Sequence, residues 1–235
     1  GSFTELGHTW SAAMPIQLAD NSIALVFVAG YDPNFEDRPF DTTTKVYTNQ
    51  NPLPTKTMGR GVFVVKADTG ALLRHFGSAD GLTDAVPSDV QVVKDPMSGI
   101  AKLVYVGDTG GNLWRLSFMD SSGAVSSTPS AWSATKIAVL GDPSDAEKDG
   151  AYARKFLYPP DVVNATVSGA KGYALMIGSG DREKPFDILV ANRFYMVKDT
   201  GTGSGPGVSC QGNESNCNLR EVTTLDTAVD PTDKG

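Results

Sequence analysis

Histidine and cysteine are nearly absent from this chain of 235 residues, which contains two of each. His8 and His75 lie far apart in sequence with no metal-ligand spacing around them, so both are expected to be structural. No Gly-x-Ser-x-Gly elbow, zinc motif or phosphate loop is present, and catalysis finds no foothold. Basic residues are in deficit: 20 Lys and Arg stand against 27 Asp and Glu, for a formal net charge of −7. Without a basic stripe to displace counterions, nucleic-acid binding is excluded, and docking on anionic lipid is disfavoured. No apolar run approaches the roughly 18–20 residues of a membrane span, so membrane insertion is not expected. A sustained apolar i, i+3, i+4, i+7 pattern is also missing, which predicts few and short helices. Asp142 to Lys155 is the best helix candidate. No signal peptide is seen, and Gly1-Ser2 reads as a cloning remnant, so the natural N-terminus is expected further upstream.

Glycine and proline are plentiful, at 25 and 14, and are spread along the chain. That distribution suits short strands joined by turns. Three segments share one pattern. Ser11-Ala-Ala-Met-Pro-Ile16 leads to Ala24-Leu-Val-Phe-Val-Ala-Gly-Tyr-Asp32. Ser88-Asp-Val-Gln-Val-Val93 leads to Leu103-Val-Tyr-Val-Gly-Asp108. Pro160-Asp-Val-Val163 leads to Ala174-Leu-Met-Ile-Gly-Ser-Gly-Asp181. Met14, Val90 and Val162 stand at equivalent places, as do Gly30, Gly107 and Gly178. A further β-rich stretch follows each: Gly61–Ala67, Asn112–Phe118 and Arg193–Lys198. The first continues through the turn Asp68-Thr-Gly70 into Ala71–Phe76, which predicts a hairpin.

Repeats of about 72 to 76 residues are long for propeller blades, and the excess falls in polar insertions at 33–58, 119–133, 142–157 and 182–192. The prediction is therefore all-β: part of a β-propeller with about three repeated blades and long rim insertions. A ring usually takes about four to eight blades, so residues 1–235 are expected to form a single domain that is an incomplete slice of a larger propeller. A β-sandwich would explain the strands but not the repeat.

Read in order, several stretches resemble PilC/PilY-type type IV pilus tip proteins. They are Leu6-Gly-His-Thr-Trp-Ser11, Val28-Ala-Gly-Tyr-Asp32, Gly61-Val-Phe-Val-Val-Lys-Ala-Asp-Thr-Gly-Ala71, Tyr105-Val-Gly-Asp-Thr-Gly-Gly-Asn-Leu-Trp-Arg115 and Ile177-Gly-Ser-Gly-Asp-Arg-Glu-Lys-Pro185, closing with Asn192-Arg-Phe-Tyr195. The resemblance spans most of residues 6–199. It implies a C-terminal β-propeller of an exported protein at the periplasm, the outer membrane surface and the pilus tip. The implied partners are minor pilins, the type IV pilus machinery and a surface or host receptor. The implied roles are pilus biogenesis, twitching motility and adhesion, through protein contacts rather than catalysis. Two other readings stay open: a quinone-dependent propeller enzyme, suggested by Ala67-Asp-Thr-Gly70, and an outer-membrane assembly scaffold. Quinone enzymes usually carry Trp where this chain has Arg74.

Members of that family often carry a calcium loop before the Tyr-Val-Gly-Asp strand. Here the place reads Lys94-Asp-Pro-Met-Ser-Gly-Ile-Ala-Lys102, with only Asp95 and Ser98 to offer side-chain oxygens, and Lys102 where the last ligand belongs. Calcium takes about six to eight oxygens, so this site is expected to be lost. The densest oxygen cluster instead runs from Asp32 to Asp41; Asp32, Asn34, Glu36 and Asp41 are the candidate ligands for a weak calcium site, and no other cofactor is implied. An arginine–glycine–aspartate tripeptide is absent. Asp108 and Asp181 are expected to cap turns, and Trp114 to wedge between blades.

Cys210 and Cys217 flank a polar loop. A disulfide there would stabilise by roughly 2–3 kcal/mol and imply an exporting compartment; two free thiols in a cytosolic protein are the alternative. With Gly201–Gly207 read as a connector, 200–218 is expected to be a flexible, disulfide-closed loop region.

Overall fold

Alternating and continuous apolar stretches become strands of three antiparallel meanders. The computed structural model describes residues 3–37, 40, 41, 43, 44, 46, 47, 54–142, 153–182, 184, 190–210 and 219. The first sheet contains β1 (Met14–Gln17), β2 (Ile23–Val28), β5 (Val62–Lys66) and β6 (Leu72–Phe76), in that spatial order. Between β2 and β5 lie a single helical turn, α1 (Pro33–Glu36), and a small ribbon of β3 (Phe40–Asp41) and β4 (Val46–Tyr47). The second sheet runs β7 (Gln91–Lys94), β8 (Ala101–Gly107), β9 (Asn112–Ser117) and β10 (Ser133–Val139), with a short β14 (Val208–Ser209) added parallel to its outer edge. The third holds β11 (Asp161–Val167), β12 (Ala170–Gly178) and β13 (Phe194–Asp199). Sheet by sheet, the expected repeat is the structure: three propeller-like blades with polar segments between strands.

Two apolar cores separate the blades. Val26, Val28, Val64 and Phe76 of the first sheet meet Val104, Val106, Trp114 and Leu116 of the second. Leu103, Tyr105 and Leu113, on the second sheet's other side, meet Leu175, Ile177 and Val197 of the third. Covered on both faces, the second sheet needs apolar side chains at successive positions. Accordingly Leu103-Val-Tyr-Val106 is buried without interruption, whereas exposure alternates along β13. Trp114 lies in the first core, wedged between blades as expected. Edge-on contacts of Phe118 with Trp132 (4.7 Å) and of Phe156 with Tyr195 (6.1 Å) add about 0.5–1.5 kcal/mol per pair.

The hairpin through Asp68-Thr-Gly70 forms as predicted, joining β5 to β6. Of the expected helix between Asp142 and Lys155, residues 143–152 lie outside the described ones, and Ala153–Lys155 carry no helix. A helical turn forms at α1, where Pro33 sits in the first turn and the Asp32 carboxylate accepts from the Asn34 amide. No helix of the described residues is long and apolar enough to cross a membrane.

Candidate functional site

The Gly–Asp ends of the three sheets are where the blades are stitched together. The segment leading into each blade runs past the end of the blade before it. Gly30 N donates to Val86 O (3.0 Å), and Phe156 N donates to Asp108 O (3.1 Å). The same segments also hold their own blade's Gly–Asp end: Thr109 N to Ala85 O is 2.9 Å, and Gly180 N to Lys155 O is 2.9 Å. This clasp explains the repeated glycine. Gly30 has φ 99° and a Cβ there would overlap the His8 carbonyl; at Gly107 a Cβ would sit 2.5 Å from that of Phe156. At Gly178 the nearest atom to such a Cβ belongs to Phe194, at an ordinary 3.7 Å.

Each repeat's aspartate does a different task. Asp32 caps α1 through Oδ1, while its Oδ2 accepts from Thr57 N (3.2 Å) and Met58 N (3.4 Å). Asp108 is fully buried and accepts from Asn112 N (2.8 Å), Asn112 Nδ2 and the Trp114 indole N–H (2.7 Å). Burial, then the nearby Asp84 carboxylate, push Asp108 up to about 7, against the pull of those donors. The Asp108 cap fits the turn-capping expectation, and the Trp114 bond is one that strand patterning did not reveal. Asp181 departs from it and enters an ion network: its Oδ2 lies 3.2 Å from Lys155 Nζ and 3.8 Å from Lys184 Nζ.

That network reorganises the candidate calcium residues. Glu36 is 2% exposed and its Oε2 lies 2.7 Å from Nζ of Lys155, which is 3% exposed. Lys184 Nζ donates to the Glu36 carbonyl at 2.5 Å. The cluster thus ties α1, inserted between β2 and β5 of the first blade, to both sides of the third blade's Gly–Asp end. Asp32 points its oxygens at backbone amides, Glu36 meets a lysine, and Asn34 is exposed. Asp41 lies on β3, and its side chain is outside the described residues. Among the described residues no three His, Cys, Asp or Glu side chains are grouped to hold a metal. Backbone amides occupy Asp32, and the ammonium of Lys155, distant in sequence, offsets Glu36. A warning was present in Ala153-Arg-Lys-Phe-Leu157, where two cations interrupt an apolar run; both are buried.

The stretch from Asp95 to Lys102 forms a self-contained turn between β7 and β8. Asp95 Oδ1 accepts from Met97 N (3.1 Å), Ser98 N (2.9 Å) and Ser98 Oγ (3.0 Å). Those bonds hold its carboxyl below the ordinary carboxylate range. Asp20 and Asp120 make the same kind of turn with Ser22 and Ser122.

The segment expected to be flexible differs over residues 200–210. Arg115 Nη1 donates to Asp199 Oδ1 (2.6 Å) and Thr202 O (3.2 Å), and its Nη2 to Gly203 O (2.5 Å). Tyr105 OH donates to Asp199 Oδ2 at 2.7 Å. Gly207 N and Cys210 N bond Ile137 O and Val139 O, so β14 closes the outer edge of the second sheet. Glycine lets the chain lie flat against a neighbouring strand, since a Cβ at Gly205 would overlap the Lys136 carbonyl. Cys210 is buried in the second core. Cys217 lies outside the described residues. Of the histidines, His75 stacks on Phe63 (4.2 Å) and bonds the Arg60 carbonyl, while His8 pairs through its backbone with Tyr31.

No family profile matches the chain, and no curated protein matches it in sequence. A solved structure does. The fold is similar to that in the crystal structure of the Pseudomonas aeruginosa PilY1 C-terminal domain, with a TM-score of 0.58 and 17% identity. The likeness covers 86% of this chain and 40% of that one, so the present chain spans less than half of its solved neighbour. Within this chain the stretches quoted from the sequence fall on lead-ins, Gly–Asp ends and the β5–β6 hairpin.

Proposed function

We propose that this chain belongs to an exported, type IV pilus-associated protein of the PilC/PilY type, acting at the pilus tip with minor pilins. In this reading it supports pilus biogenesis, twitching motility and surface or host adhesion through protein contacts. The observation that supports it is coincidence of place: resemblance segments recur at the clasps of three blades whose fold is similar to the PilY1 C-terminal domain. A non-enzymatic role is favoured by what fills the polar positions. Arg74, where quinone enzymes usually carry Trp, is paired with Asp80 at 2.5 Å, and the buried ions pair with each other. The reading as a slice of a larger propeller is favoured by Val163, Phe194 and Met196, apolar and exposed on the third sheet.

Deletion of the gene in the encoding organism, with complementation by the full-length protein and by one lacking this region, tests the proposal. Loss of surface pili and of twitching, restored only by the full-length form, is expected. Normal piliation and twitching in the deletion strain would overturn it.

A further inference from the structure

Three exposed side chains from opposite ends of the repeat array meet at one place. Trp10, in the lead-in of the first blade, is 49% exposed, and Tyr158, in the lead-in of the third, is 58% exposed. Arg182 follows Asp181, and its guanidinium carbon lies over both rings, 5.8 Å from the Trp10 centroid and 5.5 Å from that of Tyr158. Among the described residues no carboxylate pairs with Arg182.

Each member is held from below. Trp10 stacks on buried Tyr31 at 5.3 Å, with ring planes 23° apart. Arg182 is anchored through Asp181, which Lys155 grips at 3.2 Å. Tyr158 precedes Pro159-Pro160, and a residue before proline has a narrowed backbone range. Trp10 is therefore presented with little rotamer freedom left to lose on binding, while Arg182 and Tyr158 are held at the backbone. Tryptophan, tyrosine and arginine are the residues that dominate protein interfaces. A guanidinium between rings keeps its in-plane N–H donors for a carboxylate, which it takes in a two-pronged pair.

We propose that Trp10, Arg182 and Tyr158 form a recognition patch for a protein partner's acidic segment, one that brings a carboxylate to Arg182 and an apolar neighbour to the two rings. Charge complementarity selects that occupant: an unpaired cation on a chain of net charge −7 attracts an acidic group at this spot. This inference stands whether or not the chain serves a pilus.

The test uses the 235-residue chain and fluorescein-labelled peptides read by anisotropy. The probe carries Leu-Glu-Glu-Leu at its centre, beside its Leu-Gln-Gln-Leu and Leu-Lys-Lys-Leu counterparts and a hexuronate oligosaccharide. The glutamate peptide is expected to bind, with affinity falling about tenfold in Arg182→Gln and in Trp10→Ala. Lys102→Gln, a remote charge change, should leave binding unchanged. Circular dichroism and melting of each variant confirm that the fold is retained. The proposal is overturned by absence of binding at about 1 mM peptide, equal binding of the glutamine peptide, or indifference to Arg182→Gln. Binding of the oligosaccharide in place of the peptide overturns it as well.

Discussion

Replacing Lys155 by Met isolates the buried ion cluster. The methionine keeps the length and apolar stem of lysine but removes the ammonium 2.7 Å from Glu36 Oε2 and 3.2 Å from Asp181 Oδ2. Among the described residues Glu36 is then left buried with no countercharge, since Lys184 reaches only its carbonyl. Removing one partner of such a pair costs about 3–5 kcal/mol, because a carboxylate is left desolvated. For a chain of this size each kcal/mol moves Tm by about 2–4 °C, so a fall of about 6–20 °C is expected. Lys56→Met provides the contrast. Its pair with Asp84 is at 2.6 Å but is partly solvated, and such pairs contribute about 0.2–1 kcal/mol. In the double variant Glu36→Gln/Lys155→Met most of the loss should return, since no bare charge remains; the coupling from the cycle should be about 0.5–3 kcal/mol. Scanning calorimetry at pH 7 on the parent, Glu36→Gln, Lys155→Met, the double variant and Lys56→Met measures it. If Lys155→Met melts within 2 °C of the parent protein, the reasoning fails, and the cluster is solvated rather than buried.

Asp108 holds its proton up to about 7 in the folded chain, against an ordinary value of 3.8. The folded state then binds more protons than the unfolded one between those values, so the Asp108 contribution to stability should fall as pH rises from about 4 to about 7. Melting of the parent and of Asp108→Asn across that range checks this, and a pH-independent difference would refute it. A Cys210–Cys217 disulfide should appear as a two-proton mass difference on reduction under denaturing conditions; labelling of both thiols without reductant would reject it. Calcium should bind no tighter than about 10⁻⁴ M in calorimetric titration. Tight binding that survives Asp32→Ala plus Glu36→Ala but is lost in Asp95→Ala would restore the family loop as a ligand site. Asp199→Asn should loosen the strap at residues 200–210, seen as faster amide exchange at Gly207 and Cys210; unchanged exchange would show that Arg115 does not depend on that carboxylate.

Strand content, the three-fold repeat and the hairpin at Asp68–Gly70 were legible in the sequence, because each depends on neighbours a few residues away. Which blade is covered on both faces was not legible: Phe194-Tyr-Met-Val197 is as apolar as Leu103–Val106, and only its burial in the fold alternates. The Asp95 turn was not expected, although Ser98 and the amides it needs lie within the loop. What the tertiary structure alone decided is pairing over long separations. Glu36 and Lys155 sit on different repeats, as do Trp10 and Arg182, and no periodicity relates them. The local spacing of Asp32, Asn34 and Glu36 suggested a shared cation; folding instead turned Asp32 onto backbone amides and brought Lys155 to Glu36. The glycines of 201–207 were ambiguous alone, since the same freedom serves a loose connector or a strap laid along β10. Arg115 and the open edge of that strand, both supplied by another blade, chose the strap.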